Sequence, residues 1–142
     1  MVSTMGREYM ACYNAGFLLH ALIEVPACLN FFLFPSGQLG TPTPQAHAVV
    51  RQYAVLILSS ILVAMSFVRR PRDEVSARVA GALAVYHLAP SIRSASRLRR
   101  QAQSGERLVP SEAFVYLMAH VICGSLLSHH WGAFYLNMHP PS

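Results

Sequence analysis

The chain has 142 residues, 54% of them apolar and 12% charged, where a soluble domain carries about 25% charged residues. That balance excludes an ordinary soluble domain and points to a chain that lives in lipid. Its net charge of +5 comes from eleven basic residues, all arginine, set against Glu8, Glu24, Asp73, Glu74, Glu106 and Glu112. Most of these arginines fall in two short runs rather than along one face, which suits membrane flanks and argues against nucleic acid as a partner.

The first apolar segment runs from roughly Tyr9 to Phe34, interrupted only by Asn14, His20, Glu24, Pro26 and Asn30. At 1.5 Å per residue it can cross a hydrocarbon core of about 30 Å. It is longer than the roughly 7–15 apolar residues of a cleaved leader, so it reads as a retained signal anchor. The stretch from Pro35 to Pro44 holds three prolines, two glycines and no charge, and predicts a loop. A second apolar helix follows over 46–68 and stops at Arg69-Arg70-Pro71-Arg72.

Asp73 and Glu74 suit the positive end of a third helix, expected over 75–100. Ala77 with Gly81, and Ala80 with Ala84, repeat at the four-residue spacing that lets membrane helices approach closely. The apolar run Val79 to Ala89 is short, so spanning requires Arg78 and Arg93 to snorkel. Beyond it Arg93, Arg97 and Arg100 fall on one face of a basic extension outside the bilayer. A polar linker with Gly105 leads to Pro110-Ser111-Glu112, a helix-start signature, and a fourth helix over 112–136 before Pro140-Pro141.

The expected fold is therefore all-α, an integral membrane four-helix bundle in one transmembrane domain with helices over 9–34, 46–68, 75–100 and 112–136. Four crossings place the N-terminus and Ser142 on the same side. Arg7, Arg69, Arg70, Arg72 and Arg78 then oppose Arg51, Arg93, Arg97, Arg99, Arg100 and Arg107, a near balance that fixes no orientation. The expected location is a multi-pass membrane position with no organelle address, and the sequence fixes no oligomeric state.

Ionisable groups inside a span cost about 2.5–3.5 kcal/mol each at the centre when charged, so each needs a reason. Glu24, Arg51, His87 and His120 supply one such group per helix, and counting rise per residue puts all four in a single layer. His20 with Glu24, His47 with Arg51, and Tyr116 with His120 are pairs four apart, each sharing a helix face. A carboxyl made more basic by apolar surroundings and an imidazole to exchange protons with it are the ingredients of acid/base chemistry. The candidate proton-transfer residues are thus Glu24, His20, His87 and His120, with Arg51, Tyr86 and Tyr116 as candidate substrate-binding residues. The plainer readings are packing histidines, a structural Glu24–Arg51 ion pair, and an Arg51 that snorkels to phosphate.

No metal site is expected. Cys12, Cys28 and Cys123 have no paired spacing and read as buried thiols. His129 and His130 diverge by about 100° on a helix, unlike a ligand pair; Trp131 and Tyr135 beside them read as an interfacial aromatic belt. No required cofactor is read, although His87 and His120 offer the ligand types of a b-type haem. Templates for known soluble chemistry, such as GxSxG, HExxH or a glycine-rich phosphate loop, are missing.

The stretch Ala82-Leu83-Ala84-Val85-Tyr86-His87-Leu88-Ala89-Pro90-Ser91-Ile92-Arg93, following Arg69-Arg70-Pro71-Arg72-Asp73, resembles small four-helix membrane proteins of filamentous fungi. Some of these sit in secondary-metabolite gene clusters, the anthrone-oxygenase-like group among them. The resemblance implies the architecture and carries over no catalytic residue. Two functions follow as expectations: an isomerase, cyclase or cofactor-free oxygenase acting on a lipophilic small molecule, or a non-enzymatic accessory or lipophile-binding protein whose polar layer is structural.

Overall fold

A computed structural model describes the backbone over residues 4–38 and 43–138, and side chains over 15–38 and 43–136. Cys12, Asn14, Gly40, His139, Pro140, Pro141 and Ser142 lie outside the residues whose side chains are described. The fold is all-α: α1 (Thr4–Leu33), α2 (Pro44–Phe67), α3 (Glu74–Tyr86), α4 (Leu88–Gln103) and α5 (Glu112–Met138), with a short 3₁₀ turn over Pro35–Gln38. Three segments are long and apolar enough to cross a membrane: Ala15–Leu33, Pro44–Phe67 and Glu112–Leu136. The chain divides into two compact units, Phe17–Arg70, and Met1–Gly16 with Pro71–Ser142.

The start signals act as their chemistry dictates. Asp73 caps α3, its carboxylate accepting from the Ser76 amide at 2.7 Å while its own amide donates to the Ser76 hydroxyl at 3.0 Å. Ser111 caps α5 by accepting from the Phe114 amide at 3.2 Å. Pro44 occupies the first turn of α2, where a missing N–H costs nothing.

The third helix departs from expectation. It is two helices, α3 and α4, meeting at His87. Pro90 is the cause, because a helix interior would need its amide to donate to the Tyr86 carbonyl, and its ring crowds that same carbonyl. The chain tightens there, the His87 amide reaching both Leu83 and Ala84 carbonyls, and α4 restarts with Ser91 donating from its amide to the His87 carbonyl at 3.2 Å. Ser91 Oγ donates to the same carbonyl at 2.7 Å.

Within Phe17–Arg70, α1 and α2 run antiparallel. Phe17 stacks on Phe67 with ring centroids 5.6 Å apart, Ala21 packs with Ile57 and Ile61, and Phe31 meets Tyr53 at 5.9 Å. Partner numbers fall along α2 as they rise along α1, which defines the register. In the other unit, α3 and α4 both pack along α5, with the same inverse order: Ser76 meets His130, His87 meets His120, and Arg97 meets Glu112. Ala77, Ala80, Ala113, Cys123 and Leu127 fill the buried positions.

Small residues allow this approach where the sequence places them. A Cβ built on Gly81 would stand 2.9 Å from the Trp131 ring, whereas one on Gly132 meets nothing within 4 Å. Gly81→Ala is expected to lower the thermal midpoint in detergent, at a cost of about 1–3 kcal/mol for overpacking. Gly132→Ala, on the same pair of helices, should hold or raise it, since alanine favours a helix by about 1 kcal/mol. Equal midpoints for the two variants would remove the close-contact account of Gly81.

Candidate functional site

In the unit built on α1 and α2, His20 and Glu24 are both buried, Glu24 to 1% exposure. His20 Nε2 lies 3.1 Å from Ser60 Oγ, and Ser60 Oγ donates its single proton to the Ile57 carbonyl at 2.7 Å. The hydroxyl is therefore the acceptor and His20 donates from Nε2. His20 is a hydrogen-bonded tie between two helices. Cys28 makes a similar tie, its thiol donating to the Ala54 carbonyl at 3.3 Å.

Arg51 is not the partner of Glu24. Its guanidinium is exposed, and Nε donates at 3.3 Å to the carbonyl of Phe32, in the last turn of α1. Phe32 is two helical turns beyond Glu24, roughly 12 Å along the axis. A cation at that place satisfies a terminal carbonyl and complements the negative end of the helix. The structural ion pair is thus replaced by a cap. His47, four residues before Arg51, is half-buried.

The unit built on α3, α4 and α5 repeats the serine–histidine tie. Ser76 Oγ donates to the Asp73 carbonyl at 2.9 Å, so the buried His130, with Nε2 at 3.2 Å from the same hydroxyl, is the donor. His129 next to it is exposed, as the divergence of neighbouring side chains requires. Trp131 covers Gly81 and sits 5.7 Å from Tyr135. Arg78 pairs with Glu74 on the exposed side of α3. Cys28 is half-buried and Cys123 is buried.

One histidine pair is of a different kind. At the elbow between α3 and α4, His87 is 1% exposed, and its Nδ1 lies 2.9 Å from Nδ1 of His120 on α5. Ring centroids are 5.2 Å apart and tilted by 43°. Gly124, one turn beyond His120, makes the approach feasible, since a Cβ there would stand 3.3 Å from Cβ of His87. Tyr86 places its ring edge-on to His87 with centroids 5.3 Å apart. Tyr116 is 43% exposed on α5 and does not close toward the interior with His120.

Two neutral imidazoles joined through Nδ1 must hold complementary tautomers, one donating and one accepting. Which ring donates is set by which one carries its proton on Nδ1 and which on Nε2, so reversing the roles moves a proton at each Nε2 as well as the one between the rings. A serine–histidine pair has no such symmetry.

Of the histidines that sequence reasoning grouped, the structure brings His87 to His120 and sets His20 against Ser60, and the part played by the serines was missed. Ser60 and Ser76 lie 40 and 54 residues from their histidines, and only the helix register brings them together. Because Arg51 and Glu24 have separate surroundings, Glu24→Gln and Arg51→Ala are expected to change the unfolding free energy additively, within about 0.3–0.5 kcal/mol. A double-mutant cycle showing coupling above about 1 kcal/mol would restore the ion pair. Compared with known proteins, the chain matches no family model, no curated protein and no solved structure.

Proposed function

We propose that the chain is a polytopic integral membrane protein that handles a lipophilic small molecule, with His87 and His120 as its proton-exchanging pair. The observation that carries this reading is the direct Nδ1 to Nδ1 hydrogen bond at 2.9 Å with His87 fully buried. Packing alone is served in this protein by histidines that donate to serines, as His20 and His130 do. A pair whose members exchange donor and acceptor roles offers both an acid and a base at one place. Glu24, buried on α1 in the other unit, supplies a further carboxyl.

The membrane placement rests on the three long apolar helices and on their outer faces, where leucine, valine and isoleucine predominate among the large exposed apolar residues. The fourth crossing is made by α3 with the first turns of α4. α3 and α4 lie along α5 from His130 down to Glu112. From Glu74 to Ile92 they rise roughly 28 Å at 1.5 Å per residue, close to the hydrocarbon thickness. The substrate enters from the acyl chains, and the classes of reaction that the histidine pair suits are isomerisation, cyclisation and cofactor-free oxygenation.

A non-enzymatic role is the second reading, and the His20–Ser60 and His130–Ser76 ties favour it, because they show polar groups in this chain serving helix association. His120→Gln separates the two. The variant keeps a hydrogen-bonding side chain and is expected to retain the fold, with a loss of about 1–3 kcal/mol from an imperfectly satisfied His87. Metabolite profiles of a deletion strain complemented with wild type or His120→Gln provide the readout. Under the acid/base reading the wild-type gene restores the parental profile and His120→Gln does not. Full restoration by the variant, with only the thermal midpoint lowered, would establish the packing role instead.

A further inference from the structure

We propose that the arginine-rich end of α4 is a binding site for anionic phospholipid headgroups. This rests on the membrane reading above and adds a ligand to it. Between Leu88 and Glu112 five arginines, Arg93, Arg97, Arg99, Arg100 and Arg107, face two carboxylates, Glu106 and Glu112. Arg93, Arg99 and Arg100 are exposed. Arg93, Arg97 and Arg100 follow one another at spacings of four and three, so they line one face over roughly 10 Å.

The second observation is apolar. Leu88 and Ile92, one turn apart at the start of the same helix, are 59% and 67% exposed. On α4 the buried face is marked by Ser94 and turned toward α5, so these two branched side chains lie where no part of the described unit covers them. A helix that offers leucine and isoleucine outward and then, within one turn, a row of guanidiniums passes from acyl chains into the headgroup layer. The level is fixed by α5. Arg97 meets Glu112, the first residue of that apolar helix, at 3.4 Å.

Guanidinium is suited to the ligand, since its planar fork matches two phosphate oxygens. Glu106 is engaged with the Ser104 hydroxyl at 3.0 Å and lies beyond the end of α4. The excess of positive charge therefore remains on the helix. An anionic glycerophospholipid with its acyl chains beside Leu88 and Ile92 and its phosphate at the exposed Arg99 and Arg100 satisfies both halves of the surface. A soluble phosphate satisfies one.

The test uses the full chain reconstituted in nanodiscs of phosphatidylcholine with phosphatidylglycerol, with retained lipid read by native mass spectrometry. Wild type is expected to retain phosphatidylglycerol in preference to phosphatidylcholine. Arg99→Gln with Arg100→Gln should reduce that preference by about fivefold for each arginine removed, while Arg69→Gln with Arg70→Gln, in the other basic run, should leave most of it. Excess glycerol phosphate should not displace the lipid. Equal retention of both lipids by wild type, equal loss in both double variants, or displacement by glycerol phosphate would overturn the proposal. Alkaline carbonate extraction tests the underlying reading separately: a chain stripped from the membrane refutes the membrane placement, whereas a chain that stays embedded without lipid preference refutes the headgroup site alone.

Discussion

A peptide group removed from water must find its hydrogen-bond partner nearby, and in a chain this apolar the cheapest partner lies one helical turn away. That constraint accounts for the long α1, α2 and α5, and for leucines and valines turned outward while alanine, serine and histidine turn inward. It also explains why Pro90 has an effect so much larger than its size. Proline withholds the N–H that the constraint demands, the helix parts at His87, and a side chain that would have been one more member of a helix face becomes the corner at which α3 and α4 meet against α5.

The histidines divide by the company they keep. Those that meet a serine are fixed as donors, because each serine spends its one proton on a backbone carbonyl. Such bonds in membrane proteins contribute of the order of 0.6 kcal/mol, enough to favour one register over another without dominating the fold. The two that meet each other are bound by no such rule. Their bond, at 2.9 Å, is that of an ordinary hydrogen bond and leaves the assignment of the proton to either tautomer.

Much of the secondary structure was legible before any coordinates. Asp73 and Ser111 announced the starts of α3 and α5 through their short polar side chains, and the four-residue alanine and glycine spacing announced a close helix contact at Gly81. The division of the third helix was legible too, but only by looking four residues upstream of Pro90 rather than at the length of the apolar run. What no pattern in the sequence contained was the partner of Arg51. A carbonyl has no residue type, so a guanidinium that caps a helix end looks the same in one dimension as one that waits for a carboxylate. Tyr116 shows the complementary limit: a spacing of four residues guarantees a shared face with His120, yet says nothing of whether that part of the face is covered.

Gly124 gives the histidine pair an unusual kind of dependence. The closeness of the rings is secured by an absence of atoms one turn away, and a single added carbon would press on Cβ of His87 until one side gave by a few tenths of an ångström. Larger side chains would press harder. The contact between the two imidazoles can thus be graded at a residue that has no side chain of its own. In evolutionary terms the chain can weaken or sever this contact by changes that leave both histidines untouched.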